Sequence, residues 1–368
     1  MNNIRGAYVE ITGKCNARCP YCYNEKLMIK GQELPFEIVC SLSEQLRSLG
    51  LASFTLSGGE PFLHNRIGDI LHDAATRGIN TTIISNGTCF LPNNQALLLR
   101  YSPSLQLTFD GFDSKSHDTT RGSGNFDRVI NGYRQIKKKG YHGLLSIRIN
   151  VHKGNVHNLW KILAMIDRVF EVNESHTSVG SISLSFLHKA DAEDVRFEKY
   201  ILPEEYGNQF EIRDCVEKWN NGHQLQIRDI TSEPDIGCPF NGKEEGVDCG
   251  VRIAIDGDVF PCQLFSDAKF CIGNIYNNSL SEIINGQEME DFLQLIRNRR
   301  NSILACMKCA FGGVCGSGCP GQAYVIHGDI NTITDRCHER KAKLSKTLHN
   351  VYYNAIKTSD QPNSKEVR

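Results

Sequence analysis

Short β-rich runs alternate with helical stretches from Gly6 to about His188, and this alternation restricts the folds open to the chain. Runs of β-branched and aromatic residues predict strands, and apolar residues at three- and four-residue spacing predict helices. The predicted strands are residues 7–11, 53–56, 81–84, 105–108, 145–149 and 182–186, and the predicted helices lie near residues 35–49, 66–78, 92–100, 126–139 and 155–169. Six β/α repeats are too few for an eight-fold closed barrel, so we expect an α/β fold with an incomplete (β/α)6 TIM-like barrel.

Three cysteines stand directly after the first predicted strand. Cys15, Cys19 and Cys22 form a C-x3-C-x2-C run. Clusters of the [4Fe-4S] type normally use four thiolates, so a set of three leaves one iron open to a substrate or cofactor. Structural zinc needs four ligands, usually as two separated pairs, and disulfides belong to secreted chains. The run therefore favours an iron-sulfur cluster over zinc or a disulfide.

Composition limits the setting in which such a cluster works. The chain has 368 residues, a formal net charge of -1 and 15 cysteines. This balance of charge points to neither nucleic acid nor a membrane surface as a partner. No apolar run approaches the length of about 18 residues that a membrane span needs, and the N-terminus lacks the apolar core of a signal peptide. We expect a cytoplasmic protein whose thiols serve metals or catalysis.

The composition changes sharply in the C-terminal part of the chain. Nine cysteines and many glycines fall between Cys238 and Cys337. The predicted organisation is a barrel domain over residues 1–190, a linker with bridging helices over 191–235, a cysteine-rich domain over 236–345, and a helix end with a polar tail over 346–368. Residues 251–259 predict a hairpin with an Asp-Gly-Asp turn, which would bring Cys249 and Cys262 together.

A Gly-Gly-Glu-Pro segment follows the second predicted strand. Any strand-to-loop turn favours glycine and proline, but glycine also lets the backbone approach a ligand closely. Together with the cysteine run, this segment resembles the radical S-adenosylmethionine superfamily. The resemblance implies that Cys15, Cys19 and Cys22 hold a [4Fe-4S] cluster whose open iron is chelated by S-adenosylmethionine, which is cleaved to a 5′-deoxyadenosyl radical. It also implies cofactor-binding roles for four residues: Tyr21 against the adenine, and Gly58, Gly59 and Glu60 at the methionine amino group.

Polar residues follow three further predicted strands or lie within them. Asn86 and Asp110 follow strands, Thr108 ends one, and Arg148 lies among apolar residues of the fifth strand. Asn-Gly and Asp-Gly are also ordinary turn dipeptides. Because strand-end polar residues of barrels tend to face the site, these residues are candidates for binding the cofactor or substrate. A buried arginine needs an ionic partner, and for Arg148 this is either a cofactor carboxylate or an acidic residue of the core.

The C-terminal cysteines resemble the SPASM domain, an extension of one subset of the superfamily that holds two auxiliary [4Fe-4S] clusters. The resemblance assigns the outer cluster to Cys306, Cys309, Cys315 and Cys337. It assigns the inner cluster to Cys249, Cys262 and Cys319, with Cys238 as the favoured fourth ligand and Cys271 as the alternative. A pair of zinc knuckles fits poorly because the spacings leave no natural zinc quartets. The lone cysteines are expected to pack in the core as small hydrophobic residues: Cys40, Cys89 and Cys215.

The resemblance implies an enzyme with S-adenosylmethionine and three [4Fe-4S] clusters as cofactors. The leading hypothesis is a maturase that crosslinks side chains of a ribosomally made peptide, with a flavodoxin or ferredoxin-type reductant. Because the first predicted strand begins at Ala7, we expect a separate protein or the barrel surface to bind the peptide leader. The alternatives are sulfatase maturation, oxidation or epimerisation of a small molecule, and an iron-sulfur electron carrier. Gln263 after Cys262 disfavours sulfatase maturation, because glutamine is no general base.

Overall fold

The structure is a computed structural model of the chain. It describes residues 3–22, 24, 31–51, 53–187, 198–202, 210–227 and 248–333, together with 337, 340–342, 344–345 and 347–349. The predictions for Cys238, for about half of the linker and for the polar tail lie outside the described residues.

One continuous sheet organises the described part of the chain. Its strands are β1 (Asn3–Thr12), β2 (Ser53–Gly58), β3 (Asn80–Ser85), β4 (Ser104–Thr108), β5 (Leu145–Val151), β6 (Val179–Phe186), β7 (Asp248–Ile253), β8 (Asp258–Phe260) and β9 (Gly273–Asn274). Their order is β6-β5-β4-β3-β2-β1-β7-β8-β9, and β1 to β6 pair in parallel. The two edges of this order do not pair with each other, so the predicted open, incomplete barrel is confirmed.

Crossover helices connect these strands. In the first part of the chain they are α1 (Phe36–Ser48), α2 (Ile67–Thr76), α3 (Pro92–Tyr101), α4 (Ser114–Arg121), α5 (Asn125–Lys138) and α6 (Leu159–Phe170). The later helices are α7 (Phe210–Gly222), α8 (Leu280–Ile284), α9 (Gln287–Ser302), α10 (Leu304–Met307), α11 (Gly312–Cys315) and α12 (Pro320–His327). None of the helices in the described ranges combines the length and apolarity required to cross a bilayer.

The two faces of the sheet differ in polarity. Side chains alternate along each strand, and on one face the apolar set is buried against the helices, as with Leu56, Leu107 and Ile147. On the other face, Thr55, Gln106 and similar polar side chains are only partly buried. The sheet therefore has one face that packs against the helices and one lined by polar, partly buried side chains.

Helix α4 was not predicted from the sequence. Its residues, Ser114–Arg121, are polar and carry no apolar repeat. A capping box starts the helix, in which the Asp113 carboxylate accepts the backbone N–H of Ser116 and the Ser116 side chain accepts the backbone N–H of Asp113. The helix therefore depends on its cap and its tertiary contacts rather than on an amphipathic pattern.

The predicted C-terminal hairpin exists and extends the barrel sheet. β7 pairs antiparallel with β8, while its other edge pairs in parallel with β1. A buried ion pair fastens this junction, since Arg252 on β7 donates to both carboxylate oxygens of Glu10 on β1 at 3.0 and 3.1 Å. Arg252 also donates to the Phe265 carbonyl oxygen at 3.2 Å. The cysteine-rich part is thus continuous with the barrel through main-chain and charged contacts.

Replacing Arg252 by methionine should leave the buried Glu10 carboxylate without its cationic partner. We expect Arg252→Met to lower the free energy of unfolding by about 3–5 kcal/mol, measured by urea unfolding. The double replacement Glu10→Leu with Arg252→Met removes both charges and should recover most of that loss. Arg297→Met, which breaks a more exposed pair with Glu290, should cost less than about 1 kcal/mol. A double variant as unstable as Arg252→Met would contradict the ion-pair interpretation.

Candidate functional site

The three cysteines of the first run lie on one loop after β1. The loop closes at its base, where Gly13 N donates to the Gln32 carbonyl oxygen at 2.7 Å. Within it, the Cys15 sulfur accepts the Ala17 N–H at 3.4 Å, and Cys22 N donates to the Cys19 carbonyl oxygen at 3.1 Å. Burial raises the pKa of Cys22 to about 11. Such a thiol stays protonated at neutral pH unless a nearby cation stabilises the thiolate, which an iron-sulfur cluster would do.

The two glycines at the end of β2, Gly58 and Gly59, pack against this loop. Gly59 N donates to the Thr12 carbonyl oxygen at 2.6 Å, and Glu60 N donates to the Lys14 carbonyl oxygen at 2.8 Å. A Cβ on Gly58 would lie 2.3 Å from the Thr12 oxygen, and one on Gly59 would lie 2.3 Å from the Lys14 oxygen. Gly58 also has a φ of +117°. Both positions need glycine because two backbones meet here, a reason additional to the predicted contact with a ligand.

Glu60 is fully buried, and its carboxylate joins the ends of two strands. Oε1 accepts from the Ser85 hydroxyl at 2.9 Å, and Oε2 accepts from Asn86 N at 2.8 Å. Burial raises the pKa of Glu60 to about 7, and these hydrogen bonds oppose the rise. The carboxylate therefore ties the end of β2 to the end of β3. Its predicted contact with a cofactor amino group stays a prediction.

Asn86 lies next to the cysteine loop. Its Nδ2 donates to the Asn16 Oδ1 at 2.8 Å and reaches the Cys15 sulfur at 3.9 Å. Asn16 in turn donates to the Thr88 hydroxyl at 2.8 Å and to the Cys89 sulfur at 3.4 Å. Residues of the loop after β3 thereby contact the cysteine loop next to Cys15, the first predicted ligand.

Asp110 is a buried hub at the end of β4. Its carboxylate forms an ion pair with Arg121 and accepts the hydroxyl of Tyr21. It also accepts the backbone N–H of Asn150 at 3.3 Å. The Arg121 guanidinium holds the pKa of Asp110 below its usual value, against the effect of burial. The structure thus gives Asp110 a role in joining elements, and the predicted direct contact with the cofactor is untested.

Tyr21 packs in an aromatic group at the carboxyl end of the sheet. Its ring centroid lies 5.8 Å from that of His152 and 5.4 Å from that of Tyr200. His152 is buried; its Nδ1 accepts the Gly154 N–H at 3.0 Å, and its Nε2 has no hydrogen-bond partner among the described residues. A buried polar atom without a partner is costly. Its position beside Tyr21 fits the binding of a polar ligand such as S-adenosylmethionine.

Arg148 and Thr108 are register partners on the polar face, both partly buried. The Arg148 guanidinium donates to the Asn150 Oδ1 at 3.2 Å and to the Ser185 hydroxyl at 2.6 Å. In the part of the chain that the structure describes, both of these partners are neutral. The guanidinium charge is therefore suited to pair with the carboxylate of a ligand.

Four cysteines of the C-terminal, cysteine-rich part line one pocket. They are the four residues predicted for the outer cluster: Cys306, Cys309, Cys315 and Cys337. Among the residues described, no three His, Cys, Asp or Glu side chains lie close enough to share one metal ion. Thiolates of a [4Fe-4S] cluster each bind a different iron and so stand further apart than the ligands of one ion. The pocket brings together the four thiols that the resemblance assigns to the outer cluster.

Arg299 organises the segments around this pocket. The side chain is buried and donates to the Ser317 and Gly318 carbonyl oxygens at 2.7 and 3.0 Å, and to the Thr332 carbonyl oxygen at 2.9 Å. These bonds hold the turn before Cys319 against the segment that precedes Cys337. Arginine suits this role because its planar fork offers five donors.

The remaining cysteines divide between core and cluster candidates. Cys89 and Cys215 are buried in the core as predicted, whereas Cys40 is partly buried on α1. The Cys271 thiol donates to the Gly273 carbonyl oxygen at 3.2 Å. The choice of Cys238 over Cys271 as the fourth inner ligand stays a prediction, because Cys238 lies outside the described residues. Cys249, Cys262 and Cys319 stay predicted ligands.

Three residues at the site were not among those predicted from the sequence: Arg121, His152 and Tyr200. Arg121 is 102 positions from Cys19, yet its Nη1 lies 3.7 Å from that sulfur. The signal available in the sequence was its place at the end of a short capped segment after β4.

Gly59→Ala should displace the cysteine loop, because the added methyl group would meet the Lys14 carbonyl. We expect less iron per chain after anaerobic reconstitution and a lower melting temperature. The matched control is Gly222→Ala, where a Cβ meets nothing within 4 Å. Equal iron content in the two variants would contradict this account of the glycine.

Comparison with known proteins agrees with this geometry. The radical SAM superfamily model matches residues 9–166, and the SPASM model, an iron-sulfur cluster-binding domain, matches residues 246–310. The antilisterial bacteriocin subtilosin biosynthesis protein AlbA of Bacillus subtilis is 25% identical over 332 residues, which are 85% of this chain and 66% of that protein. The chain thus spans about two thirds of the length of this relative.

Two solved structures share the fold. Native anSMEcpe with bound AdoMet and Cp18Cys peptide has a TM-score of 0.73 at 19% identity, covering 96% of this chain and 99% of that chain. Streptococcus suis SuiB bound to precursor peptide SuiA has a TM-score of 0.69 at 15% identity, covering 91% of this chain and 75% of that chain. By these matches and the site above, the chain carries a radical SAM domain over residues 9–166 and a C-terminal iron-sulfur cluster-binding SPASM domain over residues 246–310.

Proposed function

We propose that this protein is a peptide maturase that forms a crosslink between side chains of a ribosomally made precursor. The observation that carries the proposal is the meeting of three features at the carboxyl edge of one sheet. These features are the three-cysteine loop, the Gly-Gly-Glu segment packed on it, and the Arg148 guanidinium with neutral partners. Ligands of barrel enzymes bind at this edge.

The residues at the edge have separate tasks in this proposal. Cys15, Cys19 and Cys22 hold a [4Fe-4S] cluster, and two further clusters are held by the C-terminal cysteines. Arg148 binds the carboxylate of S-adenosylmethionine, and Tyr21 with His152 borders its adenine. When bound, the cluster and S-adenosylmethionine together supply a 5′-deoxyadenosyl radical that abstracts a hydrogen atom. The buried aromatic group excludes water from that reaction.

A peptide substrate is supported by the polar face of the sheet and by the relatives. The face offers hydroxyl and amide groups on several strands, among them Thr55 on β2, Gln106 on β4 and Ser183 on β6, which suit the hydrogen-bonding groups of a peptide. One relative is named for bacteriocin biosynthesis, and one structural neighbour binds a precursor peptide. Gln263 is exposed and lacks a carboxylate, which favours crosslinking over sulfatase maturation. A flavodoxin or ferredoxin-type protein is the proposed reductant.

Arg148→Leu should weaken the binding of S-adenosylmethionine. Losing a hydrogen bond to a charged group costs about 1.5–3 kcal/mol, which corresponds to roughly 10- to 100-fold in Kd. Equilibrium dialysis of the reconstituted protein measures this change. The control is Arg128→Leu, because in the described contacts Arg128 donates to backbone carbonyl oxygens at the start of α5. Unchanged affinity would remove Arg148 from the cofactor site.

Reductive cleavage of S-adenosylmethionine tests the enzyme class. Anaerobically reconstituted protein with dithionite should release 5′-deoxyadenosine, and Cys19→Ala should not, while Cys215→Ala should behave as wild type. Co-expression with a candidate precursor should lower the peptide mass by two hydrogens: one passes as an atom to the 5′-deoxyadenosyl radical, and the other leaves as a proton to solvent and an electron to an auxiliary cluster. Absence of 5′-deoxyadenosine at full cluster occupancy would refute the proposal.

A further inference from the structure

We propose that Arg121 is a positioning residue that raises the reduction potential of the cluster held by Cys15, Cys19 and Cys22, by donating a charged hydrogen bond to the Cys19 sulfur. This inference rests on the proposed function, since it concerns the same cluster. It assigns a task to a residue that the sequence motifs leave without one.

The geometry places a guanidinium between a carboxylate and a predicted ligand sulfur. Arg121 ends α4, its Nη1 lies 3.7 Å from the Cys19 sulfur, and its Nε forms an ion pair with Asp110. The Asp110 side chain is fully buried and that of Arg121 is 12% exposed. The guanidinium therefore presents one donor edge to the carboxylate and another to the sulfur.

Surrounding contacts hold this arrangement in place. Asp110 also accepts the Tyr21 hydroxyl and the Asn150 N–H, which fixes its carboxylate. The Arg121 guanidinium lies 5.7 Å from the centroid of the Tyr21 ring, within the range of a cation–π contact. Because Tyr21 is adjacent in sequence to Cys22, the same network positions the cation and the cysteine loop.

The hydrogen bonds to the other sulfurs come from neutral donors. In the described contacts, the Cys15 sulfur accepts from Ala17 N at 3.4 Å and lies 3.9 Å from the Asn86 amide nitrogen. The Cys22 sulfur accepts the backbone N–H of Asn24. Of the described donors to these three sulfurs, Arg121 is the charged one, whereas the Arg18 guanidinium on the same loop donates to the Cys15 and Ala17 carbonyl oxygens.

A charged donor at a ligand sulfur shifts the redox equilibrium in a known direction. Reduction adds one negative charge to a cluster, and a nearby cation stabilises the reduced form more than the oxidised form. Hydrogen bonds to the sulfurs and the local charge are among the terms that set cluster potentials. Asp110 offsets part of the charge, but the cationic end of the pair faces Cys19, and burial strengthens the interaction. The net effect of Arg121 is to ease reduction of the cluster.

A redox titration followed by electron paramagnetic resonance tests the inference on the whole reconstituted chain. The cluster of interest is the signal component that changes when S-adenosylmethionine is added, since the auxiliary clusters lack an open iron in this proposal. Arg121→Gln should lower the ratio of reduced to oxidised cluster at least tenfold at a fixed potential, which is about 59 mV for one electron. Arg121→Lys should give a smaller decrease, because lysine keeps the charge but lacks the fork that reaches both partners.

Two further variants distinguish an effect on the reduction potential of the cluster from an effect on folding. Arg121→Gln with Asp110→Asn removes the cation without leaving a buried carboxylate unpaired, and it should lower the ratio as the single variant does. Arg128→Gln is the control, because in the described contacts Arg128 donates to the Ser123 and Gly124 carbonyl oxygens. It should leave the ratio of reduced to oxidised cluster unchanged.

The outcomes distinguish this inference from the function on which it rests. A signal that responds to S-adenosylmethionine in every variant, with the wild-type potential throughout, overturns the inference alone. Loss of the cluster from all three Arg121 variants also overturns it, because the residue would then be structural only. A wild-type protein without a responsive signal defeats the proposed function and the inference together.

Discussion

The parallel pairing of β1 on both of its edges is the constraint on which the rest of the structure depends. One edge bonds to β2 and the other to β7, so the strand that ends in the cysteine loop also joins the barrel to the cysteine-rich part. Val9 and Ile11 are fully buried, and Glu10 on the other face pairs with Arg252. The cysteine loop is thus positioned by a strand that is paired along both edges and has buried side chains on both faces.

The second constraint is the burial of carboxylates at the strand ends. Glu60 joins β2 to the loop after β3, and Asp110 joins β4 to α4, to β5 and to Tyr21 in the cysteine loop. Removing a carboxylate from water is costly, and here several donors, including one guanidinium, offset the cost. Their shared effect is to hold the loops of the site at one edge without covering the polar face of the sheet.

Much of the fold followed from pattern alone, because each predicted strand and helix carried its own periodicity. The hairpin from β7 to β8 was also predicted, since an Asp-Gly turn favours it locally. The pairing of β7 with β1 was not predicted, because the residue pattern of a strand does not indicate which distant strand it will pair with. Helix α4 was missed because the polar segment Ser114–Arg121 has a capping signal but no apolar repeat.

By itself, the sequence determined which thiols are available as ligands: Cys15, Cys19 and Cys22 at a fixed spacing, and the cysteines later found to line one pocket. Spacing within a loop is a local property, so it can be read directly from the chain. The tertiary structure alone decided that Gly59 meets the backbone of Lys14, that Asp110 is a hub, and that Arg121 reaches Cys19 across 102 positions. Such contacts depend on the packing of strands and helices, and no local pattern encodes which distant side chains that packing brings together.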